Sequence, residues 1–392
     1  MNEYKYVVVG GGMTADSAVA GIRENDPAGT IAVFSEERDL PYNRPPLSKG
    51  LWKGEELGSI WRKTDERVVE FFRGTRIVSV DPARKSVKSA DGKTHNYERL
   101  LLATGGAPKR LPVGDADVIY FRTVDDYRKL RGLTDTGSDF VVIGGGFIGS
   151  EVAAALAMNG KKVTMIAPEN GIGARVYPKG LSSFLVGYFS EKGVTVEAGD
   201  SVVSMGRDGA RSVVTTKNGK KFSADAVIAG IGIVPNDHLA KSAGLAVDNG
   251  IIVDAFLRTT NHDIFAAGDA ANFYNASLDR RLRVEHEDNA NTMGKLAGRN
   301  MSGNMEAYNY LPFFYSDLFD LGYEAVGELD PRTEVFEDWV EEYRKGVVYY
   351  LKEGNVRGVL LWNTWGKVDE ARKLIGSKRK HSRDSLKGLI RE

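Results

Sequence analysis

The chain has 392 residues, more than one hydrophobic core usually organises, so its length predicts two or three domains. Hydrophobic residues make up 42% and charged residues 27% of the sequence, a balance that excludes a disordered chain. Basic and acidic residues both number 53, so no net charge attracts nucleic acid or an anionic membrane. With no leader and no apolar segment of membrane-spanning length, we expect a cytoplasmic protein, or a mitochondrial one if a leader has been removed.

The sequence contains no cysteine. This excludes disulfide bonds, thiolate nucleophiles, CxxC redox pairs, cysteine-ligated zinc and iron–sulfur clusters, and no metal site is expected. Glycine is the one residue type in excess, with 45 of 392 residues. An excess of glycine predicts tight turns or close approach of the backbone to a ligand.

Two parts of the chain repeat the order strand, glycine-rich turn, helix, strand. In the first, the apolar and β-branched residues 4–9 run into the turn at 10–15. In the second, residues 140–143 run into the turn at 144–149. A helix-compatible stretch and another apolar run follow each turn, which is typical of a doubly wound α/β fold. We therefore predict two Rossmann-like dinucleotide-binding domains.

The glycines of such a turn permit the sharp bend, close approach to a pyrophosphate, and close packing of helix on strand. The residues at these positions are Gly10, Gly12 and Ala15 in the first turn, and Gly144, Gly146 and Gly149 in the second. An acid at the end of the next strand binds the ribose, and Glu36 and Glu169 stand at suitable distances. One such motif arises easily by chance, whereas two in this context favour real dinucleotide sites.

Two dinucleotide sites in one chain are most simply explained by two dinucleotides that exchange electrons, so the predicted cofactors are FAD and NAD(H). The carboxylate of Glu169 should repel the 2′-phosphate of NADPH, which makes NADH the expected donor. Arg175 lies nearby in sequence and would attract that phosphate, so the strictness of the preference stays open.

The last part of the chain is rich in aromatic residues and predicts a third domain of α+β type, with strands at 346–351 and 356–361 and a helix near 368–375. Residues 329–345 are interpreted as a short connection, and the basic run 378–383 as a solvated tail. The predicted boundaries are 1–123 with 243–304 for the FAD-binding domain, 124–242 for the NAD-binding domain, and 305–392 for the C-terminal domain.

Three further motifs carry a family resemblance. Thr104 and Gly105 follow an apolar strand, and Asp269 ends the sequence Ala-Gly-Asp. Residues 44–49 read Arg-Pro-Pro-Leu-Ser-Lys. With the two glycine turns, these motifs resemble the FAD-dependent pyridine nucleotide oxidoreductases, in particular the apoptosis-inducing factors and the ferredoxin, rubredoxin and putidaredoxin reductases. The resemblance implies that Asp269 binds the ribityl chain of the flavin.

The resemblance also implies roles for individual residues. Arg44 would meet a phosphate, Lys49 would lie at the flavin ring, and Glu151 would pair with Lys49 near the reactive nitrogen. His286 would lie against the ring, so the implied catalytic residues are Lys49, Glu151 and His286. The alternatives are a solvated lysine, a glutamate that favours a helix N-terminus, and a core histidine. Further implied contacts are Arg122 and Glu285 for FAD, and Gly232, Glu324 and Asn363 for NAD. Phe147, Ile148 and Tyr315 are also expected to bind a cofactor, without assignment to one of the two.

One departure from the family concerns Tyr315, which stands where the apoptosis-inducing factors have a tryptophan, so whether this residue stacks on the nicotinamide stays open. Without cysteine, a hydride passes from nicotinamide to flavin, and electrons leave the flavin directly. Three functions follow: a slow NADH oxidoreductase like apoptosis-inducing factor, an NADH-dependent reductase of ferredoxin or rubredoxin, and an NADH-sensing interaction protein. The expected partner is a small molecule or a small electron carrier, and a homodimer stays open.

Overall fold

The structure is a computed structural model that describes residues 2–113 and 118–391. The chain forms two compact units. Unit 1 consists of Met1–Asn43, Gly58–Ala107 and Val234–Pro312, and unit 2 of Arg44–Leu57, Pro108–Ile233 and Phe313–Glu392. Unit 2 therefore contains both the second glycine turn and the aromatic C-terminal segment. The division into three domains stays a prediction.

The strands of the described residues are β1 (Asn2–Val9), β2 (Ile31–Phe34), β3 (Glu70–Phe72), β4 (Ile77–Asp81), β5 (Ser86–Ser89), β6 (Thr94–Leu102), β7 (Gly106–Pro108), β8 (Val118–Tyr120), β9 (Asp139–Ile143), β10 (Lys162–Ala167), β11 (Val194–Ala198), β12 (Val202–Asp208), β13 (Arg211–Thr216), β14 (Lys221–Ala224), β15 (Ala226–Ala229), β16 (Ile233–Pro235), β17 (Ile251–Ile252), β18 (Ile264–Ala266), β19 (Ala271–Asn275), β20 (Arg280–Leu282), β21 (Phe313–Leu318), β22 (Leu321–Gly327), β23 (Glu334–Glu341), β24 (Lys345–Lys352) and β25 (Asn355–Trp362). The helices are α1 (Met13–Asn25), α2 (Val124–Thr136), α3 (Phe147–Met158), α4 (Lys179–Glu191), α5 (His238–Ser242), α6 (Glu287–Met301), α7 (Val368–Gly376) and α8 (Arg383–Leu386). Within this described part of the chain, no helix is long and apolar enough to cross a membrane.

Unit 1 is built on a sheet in which the strands have the order β3-β2-β1-β6-β5-β4, with β18 also paired to β6. Strands β1, β2, β6 and β18 run parallel, and the last paired residues of β1, β2 and β6 are Val9, Phe34 and Leu102. Their carboxyl ends therefore meet at one edge. The first glycine turn follows β1 at this edge, Glu36 follows β2, Thr104 follows β6, and Asp269 follows β18.

Helices α1 and α6 of unit 1 pack with very close backbone approach. A Cβ atom added at Gly298 would lie 2.0 Å from the carbonyl oxygen of Ala18, and one added at Gly21 would lie 2.0 Å from that of Lys295. Glycine is thus needed on both helices because any side chain would push them apart. This contact fixes α1, whose first turn follows the glycine-rich turn.

Unit 2 contains a five-stranded parallel sheet in the order β11-β10-β9-β15-β8. The second glycine turn follows β9, and Glu169 follows β10, at the same edge of the sheet. A separate antiparallel sheet, β12-β13-β14, has its second hairpin turn at Asn218 and Gly219, where the sequence predicted one. The α/β fold class predicted from the sequence is confirmed.

The C-terminal segment of unit 2 forms an antiparallel sheet in the order β21-β22-β25-β24-β23. The strands and helix predicted there are present, but residues 329–345 are more than a connection, because most of β23 lies within them. The interpretation of the chain end as a solvated tail is also incomplete. The basic residues are mostly exposed, yet Leu386 and Ile390 beyond them are buried, and Asp338 accepts a hydrogen bond from the backbone N–H of Gly388. The segment that contains these two residues is too short to show an amphipathic repeat in the sequence, so their burial could not be predicted.

We predict that Gly298→Ala lowers the stability by about 1–3 kcal/mol, because the new methyl group overlaps the backbone of α1. Gly187→Ala is the matched control, since Gly187 lies exposed on α4 with open space around its Cβ position. That substitution should raise the stability by about 0.4–1 kcal/mol. Thermal unfolding of the FAD-loaded protein measures both, and equal shifts of the two midpoints would contradict the packing argument.

Candidate functional site

The first glycine turn in unit 1 brings backbone very close to backbone. Gly10 has a φ of +127°, and a Cβ atom there would lie 2.0 Å from the carbonyl oxygen of Ala103. Gly12 is the N-cap residue of α1 and has no side chain to cap the helix. The N–H groups of the first turn are therefore left for an anion such as a pyrophosphate. Ala15, at the third motif position, is fully buried against the sheet.

The acid and the second turn of unit 1 lie beside this site at the same sheet edge. Glu36 is exposed, and no other described residue forms a hydrogen bond with its carboxylate, which leaves it available for a ribose. Thr104 Oγ1 donates a hydrogen bond to the carbonyl of Asn236 over 2.6 Å, and Asn236 Nδ2 donates to the carbonyl of Thr104 over 2.9 Å. These bonds fix the turn, and Gly105 follows with a φ of +65°.

The Ala-Gly-Asp motif of unit 1 is held by an arginine to which sequence reasoning assigned no role. Arg283 Nη1 donates to the backbone carbonyl of Asp269 over 3.0 Å and lies 2.6 Å from Glu285 Oε1. The Arg283 side chain is 9% exposed, and its Nε has no hydrogen-bond partner among the described residues. A buried donor without a partner is expected where a polar ligand binds. His286, half-buried, is the N-cap residue of α6.

The loop that carries Lys49 belongs to unit 2. Two short 3₁₀ turns, Pro45–Ser48 and Gly50–Trp52, flank Lys49, and the two prolines stiffen its approach. Lys49 Nζ lies 2.7 Å from Oε2 of Glu151, in the first turns of α3, and their side chains are 12% and 2% exposed. The structure thus brings together two residues that no local rule connects.

Two serines that sequence reasoning missed complete the environment of Glu151. Ser48 Oγ donates to Oε2 over 2.6 Å, and Ser316 Oγ donates to Oε1 over 2.5 Å. Lys49 Nζ also lies 5.3 Å from the ring centroid of Tyr315, within the range of a cation–π interaction. Tyr315 therefore faces the ammonium group in unit 2.

Unit 2 also contains a cluster of buried aromatic side chains near Glu151. Tyr323 stacks on Trp362 with centroids 5.7 Å apart and an interplanar angle of 10°. Tyr177 meets both rings edge-on. Burial raises the pKa of the Tyr177 and Tyr323 hydroxyls, and the negative charge of Glu151 adds to the effect. Both phenols therefore stay neutral.

The two arginines assigned to FAD also meet in unit 2. Arg44 Nη1 donates to the backbone carbonyl of Arg122 over 2.9 Å. The backbone N–H of Arg122 in turn donates to Asp126, which forms the capping box of α2 with Thr123. The Lys49 loop is thereby tied to the start of α2.

The second glycine turn has the three features that a dinucleotide needs. Gly144 has a φ of +110°, and a Cβ atom on Gly149 would lie 1.9 Å from the carbonyl oxygen of Gly144, so α3 packs tightly on β9. In contrast, a Cβ atom on Gly146 would meet nothing within 4 Å, so this exposed backbone is open to a pyrophosphate. Ile148 is 39% exposed, and Phe147 packs 5.5 Å from Phe314.

The acid of this site already has a cationic partner. Arg175 Nε donates to Glu169 Oε1 over 2.7 Å, with the arginine side chain 80% and the glutamate 24% exposed. Because an exposed ion pair is weak, a ribose hydroxyl can compete for the carboxylate. Glu169 therefore stays able to discriminate between the two nicotinamide donors.

The remaining residues assigned to NAD are engaged within unit 2. Gly232 has a φ of +91° and accepts a backbone hydrogen bond from Lys109. Glu324 Oε2 accepts from the backbone N–H of Gly366 over 2.9 Å. Asn363 Oδ1 accepts from the N–H of Gly322, and its Nδ2 donates to a backbone carbonyl. These contacts shape turns, and binding of NAD by these residues stays a prediction.

Taken with the fold, two glycine turns, each with an acid after the next strand, and a lysine in a buried ion pair indicate an oxidoreductase that binds two dinucleotides. The chain belongs to the pyridine nucleotide-disulphide oxidoreductase family, whose profile matches residues 4–294. Residues 332–377 match the C-terminal domain of mitochondrion-associated apoptosis-inducing factor. The cofactors are FAD and NAD(H), and the enzyme is an FAD-dependent NAD(P)H oxidoreductase. The chain departs from the name of its family, because it has no cysteine with which to reduce a disulfide.

Three similar proteins match this chain over most of its length. Apoptosis-inducing factor 1, mitochondrial, of Dictyostelium discoideum is 36% identical over 97% of this chain and 79% of its own length. The ferredoxin–NAD(+) reductase component of the anthranilate 1,2-dioxygenase system of Burkholderia cepacia is also 36% identical, over 83% and 82%. The crystal structure of a covalent putidaredoxin reductase–putidaredoxin complex matches with a TM-score of 0.91 and 29% identity, over 98% of this chain and 95% of that chain.

We predict that the enzyme prefers NADH over NADPH by at least about tenfold in kcat/KM, which corresponds to about 1.4 kcal/mol. The physical reason is repulsion between Glu169 and the 2′-phosphate. Glu169→Ala should narrow the preference, because Arg175 then faces the phosphate without a counter-charge. Arg175→Ala is the control and should not weaken the preference. Equal kcat/KM for the two donors in the unaltered enzyme would contradict the role of Glu169.

Proposed function

We propose that this protein is an NADH-dependent reductase that passes electrons from its flavin directly to a small one-electron carrier protein of the ferredoxin type. The observation that carries the proposal is the buried ion pair of Lys49 and Glu151 in a chain without cysteine. A disulfide reductase of this family needs a pair of cysteines whose disulfide accepts the electrons of the reduced flavin, and this chain has no cysteine. In this chain the electrons would leave the flavin directly, and the fixed ammonium group of Lys49 would stabilise the charge of the reduced flavin.

FAD, when bound, accepts a hydride from NADH and then gives up its electrons. Lys49 would stabilise the negative charge of the reduced cofactor, and Glu151 holds the ammonium group in place. The aromatic wall of Tyr177, Tyr323 and Trp362 excludes water, which strengthens this interaction. By the family resemblance, Arg44 would meet a phosphate of FAD, Arg122 would also contact FAD, and Glu285 and His286 would lie against the flavin ring.

The acceptor is proposed from the comparisons. A relative with 36% identity is named as a ferredoxin–NAD(+) reductase component, and the matching crystal structure holds a reductase with its putidaredoxin. The match covers 95% of the reductase chain in that structure, so both chains are built from the same set of elements. A cytoplasmic location and a homodimer remain expectations from the sequence.

A second candidate is a slow NADH oxidoreductase of the apoptosis-inducing factor type, with a quinone or oxygen as acceptor. The specific observation in its favour is the match of residues 332–377 to the C-terminal domain of that protein. The third function, an NADH-sensing interaction protein, would instead require a reduced flavin–NAD complex that persists.

Anaerobic stopped-flow kinetics separate these candidates. The NADH-reduced enzyme is mixed with a purified [2Fe–2S] ferredoxin, or with a water-soluble quinone at the same concentration. We expect at least about tenfold faster reoxidation by the ferredoxin, with a rate that falls as salt is added, since carrier docking is electrostatic. Faster reoxidation by the quinone than by the ferredoxin would instead support the second candidate. A reduced complex that neither acceptor reoxidises quickly would support the sensing function.

We predict that Lys49→Ala and Glu151→Ala bind FAD but are reduced by NADH at least about tenfold more slowly than the unaltered enzyme. The double variant should be little slower than the slower single variant, because contacting residues that act as a unit are not additive. Lys53→Ala is the matched control, since Lys53 lies in the same loop and forms only an exposed ion pair with Asp317. Stopped-flow flavin absorbance measures all four variants, and strictly additive losses would show that the two residues act separately.

A further inference from the structure

We propose that Ser48 and Ser316 are positioning residues for electron transfer, which hold the Glu151 carboxylate and thereby keep the ammonium group of Lys49 in place. This inference rests on the proposed function and assigns roles to two residues outside its mechanism. The serines lie 103 and 165 positions from Glu151 in the chain. Both are buried, with exposures of 5% and 1%.

The hydrogen bonds to Glu151 are distributed unequally between its two oxygens. Oε2 receives the ammonium group of Lys49 and the hydroxyl of Ser48. Oε1 receives only the hydroxyl of Ser316 from among the described residues. Loss of Ser48 therefore leaves both oxygens with a donor, whereas loss of Ser316 leaves one buried oxygen with none. The two serines should differ in importance for this reason.

Among the described residues, Ser316 is the only donor to Oε1 of Glu151. The titratable groups that face Glu151 are Lys49 from the loop, Tyr177 from the segment before α4, and Tyr323 from β22. Tyr323 pairs directly across from Ser316 in the sheet, and its hydroxyl interacts with the side chains of Tyr177 and Ser316 rather than donating a hydrogen bond to Glu151. With the carboxylate 2% exposed, water cannot readily replace the lost donor.

A buried carboxylate that loses a donor can rotate to share its remaining donors, and this rotation moves the ammonium group of Lys49. The displaced ammonium group then stabilises the reduced flavin less. Ser316 lies on β21, so the C-terminal sheet contributes a residue to the electron-transfer machinery of unit 2.

The test combines single variants with a double-mutant cycle. Ser316→Ala should slow flavin reduction by NADH about tenfold and lower the midpoint potential of bound FAD, whereas Ser48→Ala should slow it about threefold or less. Ser316→Thr retains a hydroxyl and should retain the rate and the potential. In a Glu151→Gln background, Ser316→Ala should change the rate of flavin reduction by less than twofold and leave the midpoint potential of FAD unchanged. The reason is that the carboxylate charge to which Ser316 donates is then absent.

Ser89→Ala is the matched control. Ser89 is 1% exposed and donates to the carboxylate of Asp91 in a hairpin turn of unit 1, so its loss removes the same type of bond elsewhere. The rate and the potential should then stay at the values of the unaltered enzyme. FAD content and thermal unfolding show that each variant is folded; if Ser316→Ala does not retain FAD, Ser316→Thr and Ser48→Ala with the Glu151→Gln cycle decide the question.

The outcomes distinguish the inference from the proposed function. If Glu151→Gln itself is reduced at the rate of the unaltered enzyme, the function proposed for the ion pair fails. If Glu151→Gln is slow while Ser316→Ala keeps the normal rate and potential, only the inference is overturned. Equal losses from Ser316→Ala with and without Glu151→Gln would also overturn it, because they would assign the serine a structural role that does not pass through Glu151.

Discussion

The buried ion pair of Lys49 and Glu151 sets the requirements that the rest of unit 2 meets. Removing two charges from water costs several kcal/mol for each ion, and their attraction offsets this only when further hydrogen bonds satisfy the remaining atoms. The 3₁₀ turns around Lys49, the start of α3 and strand β21 each supply one part of that arrangement. Such a pair contributes little to stability, so its value lies in a charge held at a fixed place.

Parallel strands explain how distant motifs become neighbours within each unit. In unit 1, the segments after β1, β2, β6 and β18 come from the beginning and the middle of the chain, yet the register of the sheet places their ends at one edge. In unit 2, the same rule joins the second glycine turn to Glu169. The ligand-binding edge of such a sheet follows from its topology, because every loop at the carboxyl ends opens on the same side.

Some parts of the site could be predicted because their signals are local. The roles of Gly144 and Gly146 follow from a turn of six residues, and Glu169 follows from the distance to the next strand end. The pairing of Lys49 with Glu151 could be expected only from a family resemblance. Ser48 and Ser316 were missed because serine is common and a hydroxyl has no recognisable spacing, and Arg283 was left without a role because its contact with Asp269 runs through a backbone carbonyl.

The sequence by itself determined the α/β class, the two dinucleotide turns, the absence of thiol chemistry and the two cofactors, since these depend on residue type and short-range periodicity. Only the tertiary structure decided which donors reach each oxygen of Glu151 and that Arg175 forms an ion pair with Glu169. It also decided that β23 belongs to the C-terminal sheet and that the chain end is bonded to that strand. The physical reason is that hydrogen bonds and ion pairs act over about 3 Å. Contacts of this length join residues whose separation along the chain carries no information about their distance in space.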